Sequence, residues 1–135
     1  MADVLVDSNV LLDVLTEDAR WFVWSSRALE ACAEDNVLAI NPIIYAEVSI
    51  GFDRIEDLDA ALPEDMIERR GIPLAAAFLA GKCFVKYRRR GGRKRSVLPD
   101  FLIGAHAAVA GMPLVTRHTA RYRTYFPTVE LICPR

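Results

Sequence analysis

Apolar positions along the chain change spacing repeatedly, and each change marks an element. Val4, Leu5 and Val6 form a short unbroken apolar run, the pattern of a strand buried on both faces. Asp7-Ser8-Asn9 then supplies capping side chains, and Val10, Leu11, Leu12 and Val14 give the face of a helix. Residues 20–34 predict a second helix, with Trp21, Trp24, Ala28, Leu29 and Cys32 on or near one side, and Asp35-Asn36 breaks it before a strand at Val37-Leu38-Ala39-Ile40. Asn41-Pro42 restarts a helix, since proline suits the first helical position.

Residues 54–95 predict helices alone. Ile55, Leu58 and Leu62 punctuate an acidic stretch, and Ala75 to Tyr87 runs on to Gly91-Gly92. Pro99 and Asp100 open a further helix that Gly111 ends. Leu114-Val115-Thr116 reads as a strand, 120–125 as a short helix and Val129-Glu130-Leu131-Ile132 as a last strand. Strands separated by helices in this way predict an α/β fold with a parallel sheet covered on both faces.

The 135 residues, 53% of them apolar, suffice for one substantial core, and a single domain over residues 1–135 is expected. No apolar run is long enough to span a membrane, and Met1-Ala2-Asp3 lacks the basic start of a signal peptide, so a cytoplasmic protein without a membrane partner is expected. Cys32, Cys83 and Cys133 are odd in number and widely spaced, which suits reduced core thiols rather than a disulfide framework or a zinc site.

A net charge of −1 conceals a division along the chain: residues 1–68 carry 16 acids and 3 bases, whereas residues 69–135 carry 2 acids and 14 bases. Eight of those bases lie between Lys82 and Arg95. Such a block either solvates a helix end and its loop or contacts phosphate backbones or an acidic partner.

Three acids interrupt apolar surroundings: Asp7 closes the first run, Glu47 follows Ile43-Ile44-Tyr45-Ala46, and Asp100 precedes Phe101-Leu102-Ile103. A carboxylate taken out of water costs several kcal/mol unless a cation or donors compensate it. In open α/β sheets the ligand crevice lies at the carboxyl ends of the strands, where all three acids can meet. Hard oxygen ligands without matching His or Cys favour Mg²⁺ or Mn²⁺ over zinc. Each acid also has a simpler role open to it: Asp7 as a helix cap, Asp100 as a partner of the helix dipole, Glu47 as half of a surface ion pair. The remaining acids, Asp13 and Glu17 among them, read as solvated faces.

Four segments together, VLVDSNVLLDVL, INPIIYAEV, LPDFLIGAHAAVAGMPLVTRH and RYRTYFPTVELICP, resemble the PIN-domain ribonucleases, and within them the VapC-type toxins of toxin–antitoxin pairs. The resemblance implies a three-layer α/β/α sandwich around a central parallel sheet. It implies that Asp7, Glu47 and Asp100 are the metal-binding, catalytic acids and that Asn9 and Thr116 support them. It further implies a metal-dependent endoribonuclease that uses Mg²⁺ or Mn²⁺, forms a homodimer and is neutralised by a small antitoxin protein. Arg88, Arg89, Arg90, Arg93, Lys94 and Arg95, just before Asp100, are then placed to grip RNA or an acidic antitoxin tail.

One position departs from the family. Where many relatives carry a fourth acid, two residues after the threonine, this chain has His118. Histidine adds no negative charge, though neutral imidazole can ligate a metal or hold a water. A catalytically weak or silent RNA- or protein-binding module is therefore the alternative function. A phosphatase of the haloacid-dehalogenase type fits less well, because Asn9 stands where that class needs a second aspartate.

Overall fold

Val4, Leu5 and Val6 are almost completely excluded from solvent, as their unbroken apolar run demands, and they form the middle strand of a five-stranded parallel sheet. The computed structural model describes residues 2–94 and 97–135. In chain order its elements are β1 (Ala2–Val6), α1 (Ser8–Leu15), α2 (Phe22–Asp35), β2 (Asn36–Ile40), α3 (Pro42–Ser49), α4 (Ile55–Ala61), β3 (Ile67–Arg69), α5 (Leu74–Arg89), α6 (Leu98–Ala110), β4 (Leu114–Val115), α7 (Ala120–Tyr125) and β5 (Leu131–Ile132). The sheet order is β3-β2-β1-β4-β5, with every pairing parallel. Helices cover the sheet to make the expected three-layer α/β/α sandwich. Among the described residues, no helix is long and apolar enough to cross a membrane.

The strand at Ile67–Arg69 corrects the expectation that residues 54–95 are helical throughout. Three residues are too few to show an alternating pattern, and its neighbours are charged. It survives at the sheet edge through backbone pairing with β2 and through Arg70, which binds Asp3 at 2.5 Å and also Glu68. The last strand is likewise shorter than predicted, Leu131–Ile132 only.

Local signals fix the helix ends that matter for the site. Asn41 caps α3 by accepting from the Ile44 amide at 3.0 Å, with Pro42 in the first turn. Gly111 ends α6 in the left-handed conformation, φ 66°, which glycine adopts without steric cost. Phe101 of α6 is fully buried among the rings of Tyr87, Tyr125 and Phe126, at centroid distances of 5.8, 5.0 and 6.3 Å. This aromatic cluster joins α5, α6 and α7 and sets where Asp100 and the start of α7 lie relative to the sheet. His106, on the same helix, is a core residue: its Nδ1 faces the Asn41 amide nitrogen at 3.1 Å.

Candidate active site

From β1 the chain builds the sheet in one direction through β2 and β3, whereas β4 and β5 lie on the other side. The switch in strand order therefore falls between β1 and β4, where open α/β sheets leave a crevice beyond the carboxyl ends of their strands. Asp7 leaves β1 at that point, and its amide donates to the Val115 carbonyl of β4 at 2.9 Å. Thr116 leaves β4 beside it.

Asp7 caps α1, accepting from the Ser8 amide at Oδ1 across 2.8 Å. Its other oxygen, Oδ2, receives the hydroxyls of Thr116 at 2.8 Å and Tyr122 at 3.0 Å and the side-chain amide of Asn9 at 3.1 Å. Asn9 also donates to Thr116 at 3.2 Å, so the two supporting residues support each other. Burial holds the Asp7 carboxyl above its usual range, against the lowering effect of Thr116, Tyr122 and Ser8, and the negative charge of Asp100 raises it further. Burial likewise keeps the Tyr122 hydroxyl well above its ordinary value, reinforced by the charges of Asp7 and Asp100, so Tyr122 remains a donor. Oδ2 takes three donors, whereas Oδ1 accepts only the Ser8 amide among the described residues.

Glu47 projects from the second turn of α3 and is tied to the same corner by Ser8, whose hydroxyl donates to Oε1 at 2.9 Å. Burial raises its carboxyl above the usual range, and the neighbouring charges of Asp7 and Asp100 add to the effect. Asp100 sits in the first turn of α6 and binds Arg121 Nη1 at 2.6 Å. All three acids line one open cleft of about 650 Å³, together with Ser8, Asn9 and the segment from Arg117 to Tyr122.

For Asp7 and Asp100 the simpler roles hold alongside the convergence rather than instead of it. Asp7 is a cap and Asp100 does lie at a helix start, yet both face the cleft; Glu47 forms no ion pair among the described residues. The donor set suits a hard divalent ion: three carboxylates on one cleft, with Glu47 Oε2 and Asp100 Oδ1 accepting no hydrogen bond among the described residues. Among the described residues no three His, Cys, Asp or Glu side chains already stand as a closed coordination shell. Asp100 is engaged by Arg121 instead.

His118 lines the cleft from an exposed position, and its amide donates to Thr116 Oγ1 at 3.1 Å. Arg88, Arg89, Arg90, Arg93 and Lys94 are exposed and make no ion pair among the described residues, but none of them lines the cleft; Arg95 lies outside the described residues. The link between this arm and the site is aromatic: Arg90 stands over the Tyr125 ring at 5.5 Å and Arg121 over the Tyr87 ring at 5.8 Å.

Two arginines and one acid that the sequence did not single out complete the site. Asp13 is not a solvated residue, as its sequence position suggested, but is 3% exposed. It binds Arg117 through both oxygens at 2.6 and 2.8 Å and accepts from the Ser25 hydroxyl at 2.7 Å. Arg117 lies over the Trp21 ring at 5.0 Å, and its amide donates to Asn9 Oδ1 at 3.0 Å. A signal for Asp13 did exist, because it falls one helical turn from Val10, on the buried face. Nothing comparable marked Arg121 or Tyr122, whose partners are remote in sequence.

A sequence model of the PIN domain matches residues 4–127. A chain of VapBC2 from Rickettsia felis, in a complex with promoter DNA, superposes with a TM-score of 0.75 at 20% identity, covering 100% of both chains. DNA-bound VapBC from Salmonella typhimurium gives a TM-score of 0.71 at 17% identity, covering 98% of each chain. A toxin–antitoxin complex from Klebsiella pneumoniae gives a TM-score of 0.67 at 26% identity, again covering 98% of each chain. No curated protein matches in sequence.

Proposed function

Since the chain belongs to the PIN-domain family, we propose that it is a metal-dependent endoribonuclease, the toxin of a toxin–antitoxin pair, which hydrolyses RNA phosphodiester bonds. The observation that carries this reading is the convergence of Asp7, Glu47 and Asp100 on one cleft at the switch in strand order. These residues would hold Mg²⁺ or Mn²⁺; when bound, such an ion supplies a water of lowered pKa and offsets charge on phosphate oxygens.

The chain's own residues do the positioning. Thr116, Tyr122 and Asn9 fix the Asp7 carboxylate in one orientation, and Ser8 sets Glu47 against it. Glu47 Oε2, free of donors among the described residues and facing the cleft from a partly buried position, is suited to accept a proton from an attacking water. Arg121 on the rim and the exposed arm of Arg88, Arg89, Arg90, Arg93 and Lys94 offset the repulsion between acidic cleft and phosphate backbone. The same cations suit an acidic antitoxin tail. The solved VapBC complexes that share the fold support an antitoxin partner, and the reading includes a homodimer acting in the cytoplasm.

The competing reading, a catalytically silent binding module, draws on His118 in place of a fourth acid. Cleavage of a mixed RNA pool by the antitoxin-free protein separates the two. Metal-dependent cleavage that disappears in Asp7→Asn supports the nuclease; RNA retention without turnover, indifferent to chelator, supports the module.

A further inference from the structure

Among the described residues two arginines, Arg117 and Arg121, reach the cleft, and they differ in how tightly they are committed. Arg117 is locked by a two-pronged bond to buried Asp13 and lies over Trp21. Among the described residues Arg121 makes one side-chain hydrogen bond, Nη1 to Asp100 Oδ2 at 2.6 Å, and both side chains of that pair are partly open to solvent. Among the described residues Arg121 is also the only cation in ion-pair contact with any of the three acids.

We propose that Arg121 is the cleft's internal counter-cation: it neutralises Asp100 when no divalent ion is held, opposes the ion for that carboxylate, and so lowers the affinity of the site for metal. The inference rests on the metal-dependent reading above. Three carboxylates that line one cleft repel one another when ionised. A guanidinium on the third acid relieves part of that repulsion. The same positive charge disfavours a dication a few ångströms away, and Asp100 must exchange or share its partner when the ion enters. A partly exposed, single-pronged pair is weak enough for that exchange. The guanidinium also lies over the Tyr87 ring at 5.8 Å, a contact that does not involve Asp100.

The test uses the full chain, purified free of partner and metal, titrated with Mn²⁺ while the free ion is followed by electron paramagnetic resonance. Arg121→Gln is expected to bind Mn²⁺ about threefold to tenfold more tightly than wild type, the range that loss of one solvent-screened charge pair allows. Arg121→Lys keeps the charge and should bind close to wild type. In an Asp100→Asn background the gain from Arg121→Gln should shrink, since the shared carboxylate is gone. Thermal melts of each metal-free variant check folding, and the Lys variant separates charge from shape. Equal or weaker Mn²⁺ binding by Arg121→Gln overturns the inference and leaves the nuclease reading standing, as does a Lys variant that binds like the Gln one. Absence of Mn²⁺ binding in wild type and every variant overturns both.

Discussion

Tyr122 donates its hydroxyl to Oδ2 of Asp7 across 3.0 Å, although 115 residues separate the two in the chain. The bond fixes the acid at the centre of the cleft, and both partners are buried. Tyr122→Phe removes one of three donors to a charged oxygen and leaves the ring in place. A hydrogen bond to a charged group is worth about 1.5 to 3 kcal/mol, and urea unfolding of the metal-free variant should show a loss in that range or just below it. Unchanged stability would mean that the hydroxyl does not hold the carboxylate.

Asp7 itself is expected to trade stability for function. Its folded-state pKa is raised, chiefly by burial, so its favourable contribution is fully present below the ordinary value of 3.8 and is lost as pH rises through the folded value. Ionising this group is therefore a burden on the metal-free fold. Asp7→Asn should abolish RNA cleavage yet melt at a higher temperature than metal-free wild type at pH 7. Added Mn²⁺ should raise the wild-type melting temperature and leave that of the variant nearly unchanged.

Breaking the Arg117–Asp13 pair from the arginine side strands a buried charge. Arg117→Ala should cost about 3 kcal/mol or more in chemical denaturation, the range seen when one partner of a buried pair is removed. Asp13→Asn, which keeps the Ser25 hydrogen bond within reach, should cost less. The reverse order would mean that Asp13 is effectively solvated.

His106 predicts an acid limit to stability. Asn41 Oδ1 is committed to the Ile44 amide, so its nitrogen faces the ring and His106 Nδ1 accepts; the neutral ring carries its proton on Nε2. Burial, aided by the charge of Arg70, lowers its pKa below the ordinary 6.5. A depressed pKa gives stability that is complete above 6.5 and is lost as pH falls through the folded-state value. Melting temperature should fall as pH drops below 6.5, and His106→Gln should flatten that part of the profile.

Gly104 is held small by an aromatic ring: a Cβ there would come within 2.4 Å of Phe126. Gly104→Ala must push that ring against Phe101, and a loss of about 1 to 3 kcal/mol is expected from overpacking, despite the better helix propensity of alanine. A stabilised variant would show that the cluster yields freely.

Much of this molecule is local and could be read from the chain. The unbroken run Val4-Leu5-Val6 is the pattern of a strand covered on both faces, Asn41-Pro42 announces a helix start, and Gly111 announces a helix end, because capping and burial act over a few residues. Asp7, Glu47 and Asp100 stood out because an acid among apolar neighbours needs compensation wherever it lies. Tertiary structure alone decided what compensates them. Tyr122 on Asp7, Arg121 on Asp100 and Arg117 on Asp13 join residues 115, 21 and 104 positions apart that carry no mutual signal in sequence, since a hydrogen bond depends on where the folded backbone brings two side chains. The edge strand Ile67–Arg69 belongs with them: three residues hold no period of their own, and only the open edge of β2 makes them a strand.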